Sequence, residues 1–145
     1  MSDGAATPPR LLPINPEALG APRGYSNGML APAGGRLLFV AGQVAWDEAQ
    51  NMVPGGFAAQ FARALSNVVT VVREAGGRAE DLGSLTIFVV DHREYLADLA
   101  GVGAAYREIM GRHYPAMALV EVRALLEPRA KVEIQGLAVI GAGSP

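Results

Sequence analysis

The chain has 145 residues, half of them hydrophobic and 18% charged, with a formal net charge of −2 and no cysteine. That length supports one domain with its own core, and that composition excludes a disordered chain. Thiol catalysis, disulfides and cysteine-based metal sites are excluded, no basic stripe suits nucleic acid, and no apolar run reaches the roughly 18 residues of a membrane span.

Only two histidines occur, His92 and His113, in different predicted elements, so no metal site is expected. No basic region followed by an apolar one opens the chain, and a cytoplasmic location is the expectation. Residues 1–21 form a proline-rich extension without periodicity, the first dozen expected to be mobile and the rest extended. The domain proper is expected over residues 22–145.

Gly24-Tyr25-Ser26-Asn27-Gly28 reads as a turn-rich loop. Residues 29–33 and 36–44, joined by Gly34-Gly35, predict a β-hairpin. The nearly unbroken apolar run over residues 37–44 predicts a central strand covered on both faces. Gly42 within it marks a close approach by another backbone or a ligand. Trp46 opens a loop that ends at Gly56.

Phe57, Phe61, Leu65, Val68, Val72 and Ala75 share one face of a predicted helix that Gly76-Gly77 ends. Residues 84–90 are rich in β-formers and predict a strand. Asp91 then caps a second helix, with Glu94 placed for a capping box. Its buried stripe is Tyr95, Leu99, Val102, Tyr106 and Ile109, and Gly111 stops it.

After His113-Tyr114-Pro115 the chain alternates. Ala116, Ala118, Val120 and Val122 point one way; Met117, Leu119, Glu121 and Arg123 point the other. The small set is expected beneath a helix and the mixed set at a pocket or another subunit. Residues 131–140 predict the last strand. The order β-β-α-β-α-β-β is an α+β fold, one mixed sheet with two helices on one face. No element remains for the face assigned to Met117 and Leu119, so a homo-oligomer is expected to cover it.

These pieces together resemble the RidA/YjgF family of reactive intermediate deaminases, also labelled endoribonuclease L-PSP. The resemblance rests on Arg23-Gly24-Tyr25-Ser26, Phe39-Val40-Ala41-Gly42-Gln43, Gly55-Gly56-Phe57, Thr86-Ile87-Phe88-Val89-Val90-Asp91, Tyr106, Pro115-Ala116, Val120-Glu121-Val122 and Val132-Glu133-Ile134. It implies a chorismate-mutase-like fold, a homotrimer whose sheets line a barrel, and three clefts between subunits. It also implies hydrolysis of imines and enamines without metal or organic cofactor. Tyr25 and Glu133 match the family's tyrosine and water-positioning glutamate. Met117 stands where the family places its carboxylate-binding arginine, Ala41 at the serine, Gly103 at the asparagine and Leu119 at a frequent cysteine. Substrates other than simple 2-imino acids are therefore expected.

The candidate catalytic residues are Glu133, as a general base, and Tyr25, holding a substrate oxygen or a water. Each has a plainer alternative: a paired carboxylate on an exposed strand, and a packed loop aromatic. Ala41, Gly42, Gly103, Met117 and Leu119 are the candidate walls of a dry cleft suited to neutral or aryl ligands, with Trp46 and His113 beside them. Met117 reads equally as core filler, Trp46 as a loop anchor, and His113 as a packing residue beside Pro115. Three functions follow in order: a cofactor-free hydrolase or deaminase of an imine, enamine or related unsaturated metabolite; a non-catalytic binder of a small apolar metabolite; and an endoribonuclease. The partners expected are a small molecule and further copies of the chain, with neither nucleic acid nor membrane.

Overall fold

A computed structural model describes residues 10–141. Most of the dozen residues expected to be mobile lie outside them. The strands are β1 (Leu12–Ile14), β2 (Gly28–Leu30), β3 (Arg36–Gln43), β4 (Leu82–Val89), β5 (Ala116–Glu121) and β6 (Val132–Ile140). The helices are α1 (Phe57–Glu74), α2 (His92–Ala97) and α3 (Leu99–Met110). Four strands form a mixed sheet in the order β3-β6-β4-β5, with β4 and β5 parallel and the other neighbours antiparallel. Among the described residues no helix is long and apolar enough to cross a membrane.

The expected hairpin does not form. Residues 28–30 pair with residues 12–14 in a separate two-stranded ribbon, while β3 pairs with β6. Pro32, which has no N–H for a ladder, follows β2, and Gly34 turns the chain at φ 78°. Nor is β3 central: it is an edge strand, with Leu37 60% and Phe39 78% exposed. Its apolar run reflects a second face that the described residues leave bare.

Helix α1 keeps its predicted stripe, with Phe57, Phe61, Leu65, Val68 and Val72 all buried against the sheet. The second predicted helix is two. Asp98 leaves helical geometry at φ −138° and its carboxylate accepts the Gly101 N–H at 3.0 Å, capping α3. Gly101 is needed there, since a β-carbon would run into the Asp98 carboxylate. Asp91 caps α2 as predicted, accepting the Arg93 N–H. Glu94 does not complete a capping box; its carboxylate pairs instead with Lys131 Nζ at 2.8 Å.

The small set of β5 does not lie beneath the helices as expected; Met117 and Leu119 face them. Met117 and Leu119 sit opposite Leu85 and Ile87 of β4, both buried beneath the helices, and pack on the core. Ala116, Ala118 and Val120 sit opposite Ser84, Thr86 and Phe88 on the uncovered face. Alternation separates two sets of side chains without saying which is inside, and small residues can sit outside as readily as beneath a helix.

Candidate functional site

The residues chosen from sequence fall into two concavities at opposite edges of the sheet. The first, about 340 Å³, lies along edge strand β5 beneath α3. Its floor is Ile87, Met117 and Leu119; Phe61, Leu99, Val102 and Gly103 close it from the helices. The loop carrying Tyr25 forms its mouth. Ser26, buried at 6% exposure, fixes that loop: its hydroxyl donates to the Tyr114 carbonyl at 2.6 Å and its N–H to the Pro115 carbonyl at 3.1 Å. Tyr25 is thereby held over the start of β5, its ring 40% exposed.

Tyr106 and Tyr114 stack within this cleft, centroids 5.2 Å apart and planes 6° apart. The Tyr106 hydroxyl donates to the His113 carbonyl at 2.7 Å. Burial pushes the Tyr106 phenol well above its ordinary pKa, and neighbouring Tyr114 adds to the shift. Tyr106 is thus a neutral wall. Tyr25, Tyr95 and Tyr114 line the same space, and among the described residues their hydroxyls have no partner.

The cleft is not free of cations. Arg23 and Arg107 line it. A β-carbon at Gly103 would lie 3.2 Å from Arg107 Nη1, so the guanidinium lies against the space a side chain there would need. Neither arginine has an ion-pair partner among the described residues. The expectation of a wholly dry wall is corrected by a residue one helical turn beyond Gly103. Helical side chains lean toward the N-terminus, so position 107 covers position 103. An arginine four residues after a glycine on this face was the signal available in the sequence.

The second concavity, about 540 Å³, is lined by Gly42, Trp46, Leu126 and Glu133 among others. Glu133 packs on Gly42, where a β-carbon would collide with its carboxylate; this is the close approach the glycine marked. The carboxylate makes no hydrogen bond to the described residues. Trp46 is anchored through its carbonyl, which accepts from Asn67 Nδ2 at 2.9 Å and Arg63 Nε at 3.0 Å. Its buried indole N–H has no partner among the described residues. Ala41 is exposed on β3 nearby.

Within one protomer the two groups do not meet. Tyr25, Gly103, Met117 and Leu119 share the first concavity; Gly42, Trp46 and Glu133 share the second. Glu133 lies on β6, two strand spacings or about 10 Å from β5, and sits opposite Phe88 on the uncovered face, whereas Met117 and Leu119 sit opposite Leu85 and Ile87 on the helix face. Met117 and Leu119 therefore do not desolvate Glu133 within the chain. His113 is held by its ring, Nε2 lying 2.7 Å from the Leu82 carbonyl, which agrees with a packing residue. Asp91, His92 and Glu121 bring ligand-type atoms within 4.8 Å of one another on the surface. Those atoms are engaged already: His92 Nδ1 is 2.8 Å from Glu121 Oε1, and Arg93 holds Asp91 at 2.9 Å.

The profile of a family described as endoribonuclease L-PSP matches residues 16–140. The chain belongs to the RidA/YjgF, or endoribonuclease L-PSP, family. It is 30% identical over 128 residues to a bovine protein named 2-iminobutanoate/2-iminopropanoate deaminase, covering 87% of this chain and 85% of that one. A Yersinia pestis structure, a Rid family protein of unknown function called YyfB, superposes with a TM-score of 0.80 at 32% identity, covering 90% of this chain and 99% of that one. The structure of E. coli TdcF with bound serine superposes with a TM-score of 0.62 at 28% identity, covering 83% and 91%. RidA-type chains thus share this α+β fold.

Proposed function

We propose that the protein is a RidA-type hydrolase or deaminase of an imine, enamine or related unsaturated small molecule, its site assembled between protomers of a homotrimer. The observation that carries this is the split site. Tyr25 and the apolar floor stand at edge strand β5, and Glu133, whose carboxylate has no partner among the described residues, reaches from β6 over Gly42 of the opposite edge strand β3. A closed ring of heterologous contacts brings opposite edges of neighbouring copies together and can unite such halves. The uncovered face with Leu37 and Phe39 supplies an apolar surface for that contact. The deaminase name of the bovine relative and the serine in TdcF support small-molecule chemistry at this fold.

In this reading Glu133 takes a proton from water as its oxygen adds to the imine carbon. The carbinolamine then collapses to a carbonyl and releases the nitrogen as ammonia, so that water and imine become carbonyl and ammonia. Tyr25 holds the oxygen. Met117 gives the floor no cation for a carboxylate bonded directly to the reacting carbon, so simple 2-imino acids are poor substrates. Met117 in place of arginine also favours a second reading, in which the cleft binds an apolar metabolite without turnover.

Ammonia release from imines generated in situ separates the two. Glu133→Gln should lower turnover by roughly 10²–10⁴-fold with unchanged thermal stability, and Met117→Arg should raise activity on small 2-imino acids. Light scattering should report three times the chain mass of 15.1 kDa. A monomer, or turnover indifferent to Glu133→Gln, overturns the reading.

A further inference from the structure

We propose that Arg107, laid back over Gly103 and backed by Arg23, is the anion anchor of the β5 cleft, and that the ligand carries a carboxylate at the far end of an apolar body. The inference deepens the reading above and rests on its choice of this cleft. The first observation is steric. Gly103 leaves open the space beside which Arg107 Nη1 sits, 3.2 Å from where a β-carbon would be. The second is electrostatic. Each acid–base pair formed among the described residues uses other groups: Arg78 with Asp81, Arg93 with Asp91, Arg129 with Glu127, Lys131 with Glu94 and His92 with Glu121. Arg23 and Arg107 line one cleft with no counter-charge among the described residues. Glu108, the acid next to Arg107, lines a different groove, with Arg63 and Arg73.

Two guanidiniums of like charge at one cleft favour an anion between them, and a planar guanidinium suits a carboxylate in two-point contact. The floor differs. Met117, Leu119 and Ile87 are apolar, and the phenols of Tyr25, Tyr95 and Tyr114 offer polar edges without charge. The charge sits on α3 and on the loop that carries Tyr25, and the apolar floor on the strands. A ligand satisfying both has its carboxylate separated from its reactive carbon by a hydrocarbon stretch. A carboxylate bonded to that carbon would have to leave either the cation or the floor.

Calorimetric titration of the full-length protein with 3-phenylpropanoate and with the neutral 3-phenylpropanamide tests this. The acid should bind at least roughly tenfold more tightly than the amide. Added sodium chloride should weaken the acid alone. Arg107→Gln should erase the preference while leaving amide affinity and melting temperature unchanged. Arg107→Lys should keep part of it, and Arg23→Gln should lower it less than Arg107→Gln does. Equal affinities in the parent protein, no binding of either probe, or a preference that survives Arg107→Gln would each overturn the proposal. Turnover is not read. A preference erased by Arg107→Gln stands even where Glu133→Gln changes no rate, and a rate lost in Glu133→Gln stands even where acid and amide bind alike.

Discussion

The two faces of the four-stranded sheet are built from alternate residues of the same strands, yet they follow different rules. On the helix face Leu85, Ile87, Val89, Val132 and Ile134 are all buried within one chain. On the other face Leu37 and Phe39 are as apolar as any of these and stand in solvent. The difference teaches that hydrophobicity along these strands records two burials. One is completed by the chain's own helices, and the other is the burial that the proposed trimer would complete.

A matched pair of leucines sharpens that contrast. Leu65 is fully buried on α1 and Leu37 is 60% exposed on β3. Leu65→Ala should cost about 2–5 kcal/mol in chemical denaturation, the usual cost of emptying a packed leucine site. Leu37→Ala should change protomer stability by less than about 0.5 kcal/mol. A charge at Phe39, as Phe39→Glu, should lower the mass seen by light scattering while the circular dichroism spectrum stays native. Should Phe39→Glu leave the mass unchanged, the open face is not an interface and the contrast between the faces fails.

A smaller effect is expected at the loop that carries Tyr25. Ser26→Ala removes the hydroxyl that donates to the Tyr114 carbonyl and leaves that partly buried oxygen without this donor. The cost should be about 1 kcal/mol, read as a lower melting temperature, together with a raised KM as Tyr25 loosens. A lower melting temperature with an unchanged KM would show that Tyr25 does not touch the ligand.

The smallest concerns the surface end of α2. Hydrogen bonds from the Arg93 side chain and backbone hold the Asp91 carboxyl at about 2, below its ordinary 3.8. The His92 side chain and backbone hold Glu121 low in the same manner. A carboxylate with a depressed folded-state pKa contributes stability above its unfolded value, and that contribution fades as pH falls through the folded value. Asp91→Asn should therefore melt slightly below the parent at neutral pH, with the gap closing as pH falls from about 4 toward 2. Both groups lie at the surface and are partly exposed, so the gap should be small and shrink in salt. A gap that widens on acidification would remove Asp91 as the cause.

Most of the fold was legible because its signals are local. Helix α1 follows from a stripe of period 3.6, and β4 and β6 follow from runs of β-formers between turns. The break at Asp98 was hidden, because Tyr95, Leu99, Val102 and Tyr106 keep helical spacing straight through it. The face of β5 was misread because period two has no sign. At the site, Tyr25, Gly103, Met117 and Leu119 do share one cleft. The arginine that gives that cleft charge went unnoticed, since an exposed Arg107 acquires meaning only once Gly103 is known to lie beneath it. Glu133 and Gly42 do touch, but at the other edge of the sheet, where strand order rather than pattern decides what is near.

Trp46 is the chain's only tryptophan, and it lines the half of the site that holds Glu133. Its indole N–H is buried without an acceptor among the described residues. The other concavity is walled by tyrosines, which absorb at shorter wavelength and emit above it. Selective excitation of the indole thus watches the surroundings of Glu133 alone, and a ligand that wets or covers that concavity changes the emission. The molecule carries its own optical reporter there, and no label needs to be added to read it.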